Sequence, residues 1–418
     1  MNYSVKAGER SGSVCVPSSK SYAHRILICS ALAQRESLVI CDGISKDIDA
    51  TIKCLSVLGA DIAIKDGGVI AVKPIKEKKS GLIDLYCGES GSTLRFMIPI
   101  VGALGCSSVF HMEGKLSQRP LGALIKTLSE NGMIIEQKDD LLYCSGKLSA
   151  GNYHIPGNIS SQFISGLLFA LPLLESDSTL EISGNIESVD YISMTEDAVI
   201  NAGISLNKNG SKYKINGNQK YTVKEKNFVE KDWSNAAFFI CMGALSDKGI
   251  TLSGMNLSSK QGDKKILNIV RSFGADVIAE ENSVTVRKNK LEGQTVDAKA
   301  IPDLVPTICA LASCAEGTTE IVNAGRLRIK ESDRLKTTAD MLSSLGADIS
   351  QTENGLIIKG KDKLIGGEID AANDHRIAMA AAVAASVCEK EVIVHGAQCV
   401  SKSYPDFWEH FEKLEVLP

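Results

Sequence analysis

The chain has 418 residues, of which 44% are hydrophobic and 23% charged, and its formal net charge is −4. A single hydrophobic core rarely grows beyond about 250–300 residues, so this length predicts two domains. The charge does not favour a nucleic-acid or membrane-surface partner, and no apolar run reaches the roughly 18 residues that span a bilayer.

Twelve cysteines are present, most of them inside apolar runs and none with zinc-site spacing. We therefore expect free thiols in a reducing compartment and no metal site. The first residues, MNYSVKAGER, contain no apolar signal core. These features predict a cytoplasmic protein.

A recurrent element of the chain is an amphipathic helix that ends near a glycine and is followed by two short alternating segments. Glycine supplies the left-handed cap of a helix, and alternation of apolar residues is typical of half-buried strands. Each copy therefore predicts a helix and a hairpin. The copies are residues 52–74, 124–146, 197–217, 266–288 and 341–360.

A second element precedes each of these five copies and occurs once more after the last: a polar cluster followed by a helix that is apolar on nearly every face. Such helices belong in a core. The six are SSKSYAHRILICSALA, GESGSTLRFMIPIVGALG, GNISSQFISGLLFALPLL, DWSNAAFFICMGALS, IPDLVPTICALAS and NDHRIAMAAAVAAS.

Together these elements predict an α/β (α+β) fold of six βαβαββ repeats, three in each domain, with buried helices inside and sheets outside. The sixth repeat lacks its hairpin, and the orphan segment MNYSVKAGERSG precedes the first repeat. We therefore expect the N-terminal residues to complete the sixth repeat. The repeats should begin near residues 13, 82, 152, 221, 293 and 367, forming one domain of residues 13–219 and a discontinuous one of residues 1–12 and 220–418.

Cations stand in the polar clusters, where they oppose the positive end of the helix dipole unless an anion is bound. Serine or aspartate at a helix start is usually only a cap, but capping does not explain lysine or arginine there. A shared anionic ligand is therefore predicted. The clustered residues are Lys20, Ser21, Arg25, Gly91, Ser92, Arg95, Ser160, Ser161, Gln162, Asp232, Asp303, Asp374, His375 and Arg376.

Other cations lie in loops and amphipathic helices. Lys330 and Arg334 are four residues apart, which predicts a shared helix face, although a solvated, salt-bridged surface would give the same pattern. Arg119 and Lys402 each precede a predicted helix. Side chains of this kind suit the carboxylate and phosphate groups of a compact polyanion.

The ordered set PSSKSYAHR, GESGSTLR, QRPLG, SSQF, IPD, RIKESDRL, DHRIAM and KSYPDF resembles the 5-enolpyruvylshikimate-3-phosphate synthase family of enolpyruvyl transferases over essentially the whole chain. The resemblance implies a two-domain inside-out α/β barrel with the active site in a cleft between the domains. It also implies transfer of the enolpyruvyl group of phosphoenolpyruvate to the 5-hydroxyl of shikimate-3-phosphate, with no metal or other cofactor.

The resemblance further implies a role for individual residues. Asp303 would be the general base at the 5-hydroxyl, and Glu331 and Lys20 would deliver or remove the C3 proton. The implied catalytic residues are Lys20, Asp303, Glu331 and His375. Shikimate-3-phosphate would bind Lys20, Ser21, Arg25, Ser160, Ser161, Gln162, Ser188, Tyr191, Asp303 and Lys330, and phosphoenolpyruvate would bind Lys20, Gly91, Ser92, Arg119, Gln162, Arg334, Arg376 and Lys402.

The second motif departs from the family's usual Gly-Asn-Ala-Gly-Thr at Glu89 and Ser90. A carboxylate at Glu89 is awkward beside a polyanion, and the added bulk of Ser90 gives the hypothesis that the analogue glyphosate binds less well. One alternative is a UDP-N-acetylglucosamine enolpyruvyltransferase, which typically has a cysteine in the loop that here reads HMEGKLSQRP. A non-catalytic anion-binding paralogue is the other. We expect a monomer.

Overall fold

The structure, a computed structural model, describes residues 1–77 and 79–417. The chain divides into two compact units. We call Lys20–Val229 the continuous unit, and Met1–Ser19 with Glu230–Pro418 the split unit. The chain passes from the split unit to the continuous one between Ser19 and Lys20, and back between Val229 and Glu230.

The elements follow one another in a regular order. The chain opens with β1 (Asn2–Val5) and β2 (Arg10–Val14). In the continuous unit they are α1 (Lys20–Ala31), β3 (Ser37–Ile40), α2 (Lys46–Val57), β4 (Asp61–Lys65), β5 (Val69–Lys73), β6 (Leu82–Gly88), α3 (Gly91–Leu104), β7 (Ser107–Met112), α4 (Gly122–Ser129), β8 (Met133–Lys138), β9 (Leu141–Gly146), β10 (Asn152–Pro156), α5 (Ser161–Ala170), β11 (Ser178–Ser183), α6 (Val189–Asn201), β12 (Asn207–Asn209), β13 (Lys212–Ile215) and β14 (Lys226–Phe228). In the rest of the split unit they are α7 (Trp233–Ala244), β15 (Ile250–Ser253), α8 (Ile266–Phe273), β16 (Asp276–Glu280), β17 (Ser283–Arg287), β18 (Thr295–Asp297), α9 (Val305–Ala312), β19 (Thr318–Val322), α10 (Arg334–Ser344), β20 (Asp348–Gln351), β21 (Leu356–Lys359), β22 (Gly367–Asp370), α11 (His375–Ala385), β23 (Val392–His395), α12 (Phe407–Glu412) and β24 (Glu415–Val416).

Among the described residues, five of six small sheets share one plan, in which two parallel strands come first and a hairpin pairs antiparallel with the second of them; in the sixth, the single strand β1 takes the place of the hairpin. In the continuous unit the strand orders are β14-β3-β5-β4, β6-β7-β9-β8 and β10-β11-β13-β12. In the split unit they are β16-β17-β15-β2-β24, β18-β19-β21-β20 and β1-β23-β22. The predicted six-repeat α/β fold, with three repeats in each unit, is confirmed.

The N-terminal strand completes the sixth repeat, as the sequence predicted. β1 pairs antiparallel with β23, from Asn2 opposite His395 to Val5 opposite Val392. One strand from the other end of the chain therefore takes the place that a two-stranded hairpin has in the other repeats.

The first strands of two repeats are exchanged, which the sequence analysis had wrong. β2, expected to open the first repeat, runs parallel to β15 in the sheet of the fourth. β14, expected to open the fourth repeat, runs parallel to β3 in the sheet of the first. β2 lies just before the first junction between the units, and β14 lies just before the second. Each of these strands therefore stays in the sheet of the unit that the chain is leaving.

The first helix of each repeat forms the core, and the sheets cover it. Every residue of α11 and nearly every residue of α3 and α7 is buried. β6, by contrast, alternates exposed and buried side chains along its length, as expected of a strand in a sheet with one solvent-exposed face. Among the described residues no helix is long and apolar enough to cross a membrane.

Close packing of α3 on α5 depends on Gly166. A Cβ atom at this position would lie 2.5 Å from the carbonyl oxygen of Arg95 and 3.1 Å from Cγ of Pro99. The backbone carbonyl cannot move without shifting α3 itself. The two helices can therefore cross at this distance only because residue 166 has no side chain.

We expect Gly166→Ala to lower the stability of the protein by about 1–3 kcal/mol, because the added methyl overpacks a buried helix crossing. Thermal and urea unfolding would measure the loss. Gly122→Ala in α4 is the matched control, since a Cβ there meets nothing within 4 Å. That control should leave stability unchanged or raise it by up to ~1 kcal/mol. Equal effects of the two changes would contradict the packing argument.

Candidate active site

Lys20, the first residue of α1, is paired with a carboxylate of its own unit. Its Nζ lies 2.9 Å from Oδ2 of Asp47, at the start of α2, and both side chains are largely shielded. The misfit between Lys20 and the helix dipole is thus partly offset by an internal anion. Asp47 had not been identified from the sequence.

Arg25 is buried and joins α1 to α6. Its Nε donates to Oγ1 of Thr195 at 2.8 Å, Nη2 to the carbonyl of Tyr191 at 2.8 Å and Nη1 to the carbonyl of Ser21 at 2.6 Å. Burial lowers the pKa of Arg25 to about 10. In this structure the arginine therefore organises the backbone of Ser21 and Tyr191, two of the residues predicted to bind substrate.

A chain of side-chain hydrogen bonds connects the starts of α1, α2 and α3. Nδ1 of His24 lies 2.7 Å from Oγ1 of Thr51, which lies 2.7 Å from Oγ1 of Thr93, which in turn donates to Oγ of Ser90 at 2.7 Å. Burial lowers the pKa of His24 well below its usual value, so the ring is neutral. The buried Ser90 hydroxyl also caps α3 by accepting from the amide of Thr93.

Two arginines stand beside Gly91, the first residue of α3. A Cβ on Gly91 would lie 2.5 Å from Nη1 of Arg95 and 2.9 Å from Nη1 of Arg119. Nη1 of Arg95 also donates to Oε1 of Gln162 at 2.9 Å, and Nε2 of Gln162 donates to Oγ of Ser92 at 2.9 Å. The structure thus brings these five residues together at one end of α3 and α5, where the positive ends of the helix dipoles add to the charge of the arginines.

The serines of the third repeat occupy two helix starts. Ser160 caps α5 by accepting from the amide of Gln162, and Ser161 is the first residue of that helix. Ser188 precedes α6 with φ of 54°, a left-handed conformation that a residue with a side chain rarely adopts. Such conformations concentrate at functional sites.

Glu89, the awkward carboxylate of the second motif, lies against Gly114 in the loop that follows β7. A Cβ on Gly114 would meet Oε2 of Glu89 at 2.7 Å. The carboxylate is therefore directed toward this loop, which only a glycine allows it to approach so closely.

Arg334 is the centre of the charged cluster in the split unit. The side chain is 1% exposed and binds three carboxylates: Oδ1 of Asp303 at 2.8 Å, Oε2 of Glu331 at 2.7 Å and Oδ2 of Asp374 at 2.8 Å. Burial would lower the pKa of Arg334, but these carboxylates raise it above its usual value. Burial would also raise the pKa of Asp374, yet Arg334 holds it below its usual value.

Asp303, in the turn before α9, is surrounded by three cations. Besides Arg334, Nη2 of Arg376 lies 3.1 Å from its Oδ2 and Nζ of Lys330 lies 3.6 Å from its Oδ1. Burial would raise the pKa of Asp303, but Arg376, Lys330 and Arg334 outweigh it and hold the pKa well below its usual value. Asp303 is therefore ionised in this state. The pKa of Lys330 is lowered, chiefly by burial.

The predicted helix face shared by Lys330 and Arg334 was wrong. Lys330 follows a 3₁₀ turn, Gly325–Ile329, and α10 begins only at Arg334, which Asp333 caps. The two cations meet at Asp303 through the loop between these elements. The four-residue spacing thus correctly predicted that Lys330 and Arg334 lie close together, but the reason is the loop and not a shared helix.

The last two predicted residues belong to the same unit. His375 is the first residue of α11 and is 2% exposed, with Nδ1 3.8 Å from Oδ1 of Asp374. The largely buried Lys402 ends a 3₁₀ turn, and its Nζ donates to the carbonyl of Asn373 at 2.6 Å. Within the described ranges, no group of three or more His, Cys, Asp or Glu side chains is placed to hold a metal ion.

Three buried or largely shielded carboxylates had not been predicted to act in the site: Asp47, Asp374 and Asp263. Asp374 had been noted only as a member of a polar cluster, and it does cap α11, accepting from the amide of Arg376 at 3.0 Å. Asp263 lies in the 3₁₀ turn Gly262–Lys265 and is 2% exposed. Burial, and secondarily the charge of Asp303, raises the pKa of Asp263 to about 7.

Comparisons with known proteins agree on one family. The model of EPSP synthase (3-phosphoshikimate 1-carboxyvinyltransferase) matches residues 5–411. The 3-phosphoshikimate 1-carboxyvinyltransferase of Clostridium acetobutylicum is 45% identical over 409 residues, covering 96% of this chain and 95% of that protein. The enzyme of that name from Brachyspira hyodysenteriae is 42% identical over 419 residues and covers 99% of each chain.

Solved structures give the same result. EPSP synthase from Acinetobacter baumannii aligns over 100% of both chains with a TM-score of 0.81 and 26% identity. The enolpyruvyl transferase NikO from Streptomyces tendae aligns over 99% of both chains with a TM-score of 0.80; at 14% identity this likeness concerns the fold alone. The two-domain α/β fold expected from the sequence is confirmed.

We expect Asp374→Asn to destabilise the protein by about 3 kcal/mol at pH 7, because Arg334 then stays buried with one ion pair fewer. The pKa of Asp374 is lowered in the folded state, so its contribution is present above about pH 4 and is lost as the pH falls from there. The difference between the parent and the variant in urea unfolding should therefore shrink at acid pH.

Asp340→Asn is the matched control for this measurement. Asp340 pairs with Lys336 on the exposed face of α10, and both side chains are more than half exposed. Removing such a surface pair should change stability by less than about 1 kcal/mol. A loss at Asp374 as small as this would show that the buried cluster does not stabilise the fold.

Proposed function

Because the chain belongs to the EPSP synthase family, we infer that it is an enzyme that transfers the carboxyvinyl group of phosphoenolpyruvate to the 5-hydroxyl of shikimate-3-phosphate. The 5-hydroxyl adds to C2 of phosphoenolpyruvate as C3 gains a proton, and the tetrahedral adduct then loses inorganic phosphate as C3 loses a proton. The product, 5-enolpyruvylshikimate-3-phosphate, belongs to the shikimate pathway of aromatic amino-acid biosynthesis.

The observation that carries this proposal is the grouping of Arg334, Arg376 and Lys330 around the Asp303 carboxylate. An ionised acid among cations provides both a proton acceptor and the charge that attracts anionic substrates. The two substrates together carry about six negative charges near neutral pH, at roughly two for each phosphate and one for each carboxylate. The cations of the two units supply a comparable positive charge.

Phosphoenolpyruvate is proposed to use the cations that flank Gly91 and those that flank Asp303. Phosphoenolpyruvate carries a phosphate and a carboxylate close together, and guanidinium groups bind both kinds of anion in a bidentate manner. The residues assigned to it are Lys20, Gly91, Ser92, Arg119, Gln162, Arg334, Arg376 and Lys402.

Shikimate-3-phosphate is proposed to use the helix starts of the continuous unit together with Asp303 and Lys330. Serine hydroxyls and backbone amides at helix starts suit a phosphate and a ring that carries hydroxyls. The residues assigned to it are Lys20, Ser21, Arg25, Ser160, Ser161, Gln162, Ser188, Tyr191, Asp303 and Lys330.

Asp303 is proposed as the base that removes the 5-hydroxyl proton. Three cations make it a weak base before substrates arrive, and anionic substrates that attract those cations would strengthen it. Glu331 and Lys20 are the candidates for proton transfer at C3, and His375 completes the proposed acid–base set. A cytoplasmic, monomeric protein without a cofactor is part of this proposal.

UDP-N-acetylglucosamine enolpyruvyl transfer is the competing activity on the same fold. The family match and the curated relatives favour shikimate-3-phosphate as the acceptor. The described loop before Arg119 also contains no cysteine.

Phosphate release from phosphoenolpyruvate with shikimate-3-phosphate tests the proposal directly. Lys20→Met and Asp303→Asn should each lower kcat by about 10²–10⁴-fold, the usual contribution of a positioned acid or base. Lys53→Met is a matched control for Lys20, because Lys53 forms an exposed pair with Asp49 on α2. Near-normal turnover of Lys20→Met or Asp303→Asn would rule out the role assigned to that residue. Phosphate release with UDP-N-acetylglucosamine as acceptor, and none with shikimate-3-phosphate, would favour the competing activity.

We expect Gly91→Ala to raise the KM for phosphoenolpyruvate by about tenfold, a loss of ~1.4 kcal/mol, because the new methyl displaces the guanidinium groups of Arg95 and Arg119. Thermal unfolding should change little, since both guanidinium groups are the far ends of flexible side chains. Steady-state kinetics with each substrate varied separately would measure the effect. A change confined to the KM for shikimate-3-phosphate would contradict the assignment of Gly91.

A further inference from the structure

Two side-chain pairs, one helix turn apart, join α1 to α2 in the continuous unit. In the first pair, Nζ of Lys20 lies 2.9 Å from Oδ2 of Asp47. In the second, Nδ1 of His24 lies 2.7 Å from Oγ1 of Thr51, and both residues are fully buried. The two residues that each helix contributes are four apart, so they lie on one helix face. The two pairs therefore fix both the distance and the register between α1 and α2.

The second pair continues into the first turn of α3. Oγ1 of Thr51 lies 2.7 Å from Oγ1 of Thr93, which donates to Oγ of Ser90 at 2.7 Å. Ser90 also caps α3 by accepting from the amide of Thr93 at 3.2 Å. The Thr93 hydroxyl lies 3.4 Å from the backbone carbonyl of Asp47, the partner of Lys20. The start of α3 is therefore tied to both pairs.

The direction of these hydrogen bonds follows from the number of hydrogens. A hydroxyl has a single hydrogen to donate, and that of Thr93 goes to Ser90, its nearer acceptor. The Thr51 hydroxyl must then donate to Thr93, and Nδ1 of His24 must donate to Thr51. Burial lowers the pKa of His24 well below its usual value, so the ring is neutral and carries its one hydrogen on Nδ1. Nε2 is buried and has no partner within residues 1–77 and 79–417.

We propose that His24 and Thr51 are positioning residues that fix Lys20 relative to the start of α3, where Gly91 and Ser92 lie. This inference rests on the proposed function in one respect, namely that Lys20, Gly91 and Ser92 bind phosphoenolpyruvate. The substrate is small, so its binding groups on α1 and α3 must keep a narrow range of separations.

Hydrogen bonds are suited to this task in a way that apolar packing is not. The hydrophobic effect has no preferred direction, so apolar contacts alone allow one buried helix to slide or turn against another. Hydrogen bonds require a short distance and a favourable angle, and a buried chain of them specifies one arrangement. Binding groups supported in this way are held close to their productive geometry.

Steady-state kinetics of Thr51→Val tests the positioning role. Valine nearly keeps the shape of threonine but removes the oxygen that joins His24 to Thr93. At saturating shikimate-3-phosphate, kcat/KM for phosphoenolpyruvate should fall by roughly 10–100-fold, since a misplacement of about 1 Å can lower a rate by about 100-fold. Thr51→Ser keeps the hydroxyl and should stay close to the parent.

Thr127→Val is the matched control, because it removes a buried hydroxyl outside this chain of hydrogen bonds. Thr127 lies in α4, is 3% exposed, and donates to the carbonyl of His154 at 2.7 Å. Both valine variants should lower the Tm by a few degrees, but only Thr51→Val should lower kcat/KM. A Thr51→Val protein with a lower Tm and an unchanged kcat/KM overturns the inference, as do equal kcat/KM losses in the two variants.

A second pair of variants keeps the inference falsifiable if Thr51→Val folds poorly. The side-chain amide of asparagine can place a donor near the position of Nδ1, whereas leucine fills the space without one. His24→Leu should therefore lower kcat/KM for phosphoenolpyruvate, and His24→Asn should recover much of the loss. Equal kcat/KM values for these two variants overturn the positioning role.

Nitrogen-15 NMR of the histidine rings tests the chain of hydrogen bonds without substrate. His24→Asn identifies the signals of His24 by their disappearance. The parent should show a protonated Nδ1 and a bare Nε2, and a hydrogen on Nε2 instead overturns the inference, because Thr51 would then donate to His24 and the chain would be broken. A parent without turnover overturns the proposed function and the positioning role together, and the NMR spectra distinguish that case from a failure of the chain itself.

Discussion

The single guanidinium of Arg334 holds three carboxylates in place, and the chemistry of the split unit depends on that arrangement. Asp303 comes from the turn before α9, Glu331 from the loop before α10, and Asp374 from the cap of α11. A buried charge requires compensation, so one arginine fixes the relative positions of three elements. The pKa directions of Asp303 and Asp374 follow from the same contacts. Acid–base properties are thus set by the packing of the core.

The continuous unit satisfies its buried cations in another way. Arg25 donates to a threonine hydroxyl and two backbone carbonyls, and Arg95 donates to the side-chain amide oxygen of Gln162. Neutral acceptors of this kind orient a guanidinium without cancelling its charge. Lys20, paired with Asp47, is the contrasting case in this unit. Arg25 and Arg334, both buried, thus show two ways of holding a guanidinium: one binds a hydroxyl and backbone carbonyls, and the other binds three carboxylates.

Local patterns in the sequence predicted the repeats, the five hairpins and the place of the N-terminal strand. Glycines after helices and alternating strands act over a few residues, so they can be read without knowing partners. The exchange of β2 and β14 could not be read this way, because both are short segments that precede a buried helix and their partners are chosen across the chain. Asp47 and Asp263 were missed for a related reason. An acidic residue at the start of a helix or turn is typical of a cap, and only the fold shows that Asp47 contacts Lys20 and that Asp263 contacts Ser234.

Completion of the sixth repeat by β1 has a consequence for synthesis of the protein. Domains generally fold as units, and earlier segments leave the ribosome first. The continuous unit contains all of its strands between Lys20 and Val229, so it can fold while the rest of the chain is still being made. β1 and β2 emerge before any of that unit, yet their partners β23 and β15 appear only later. The first segment made must therefore stay unpaired through most of translation, and the C-terminal repeat is the step that closes the split unit.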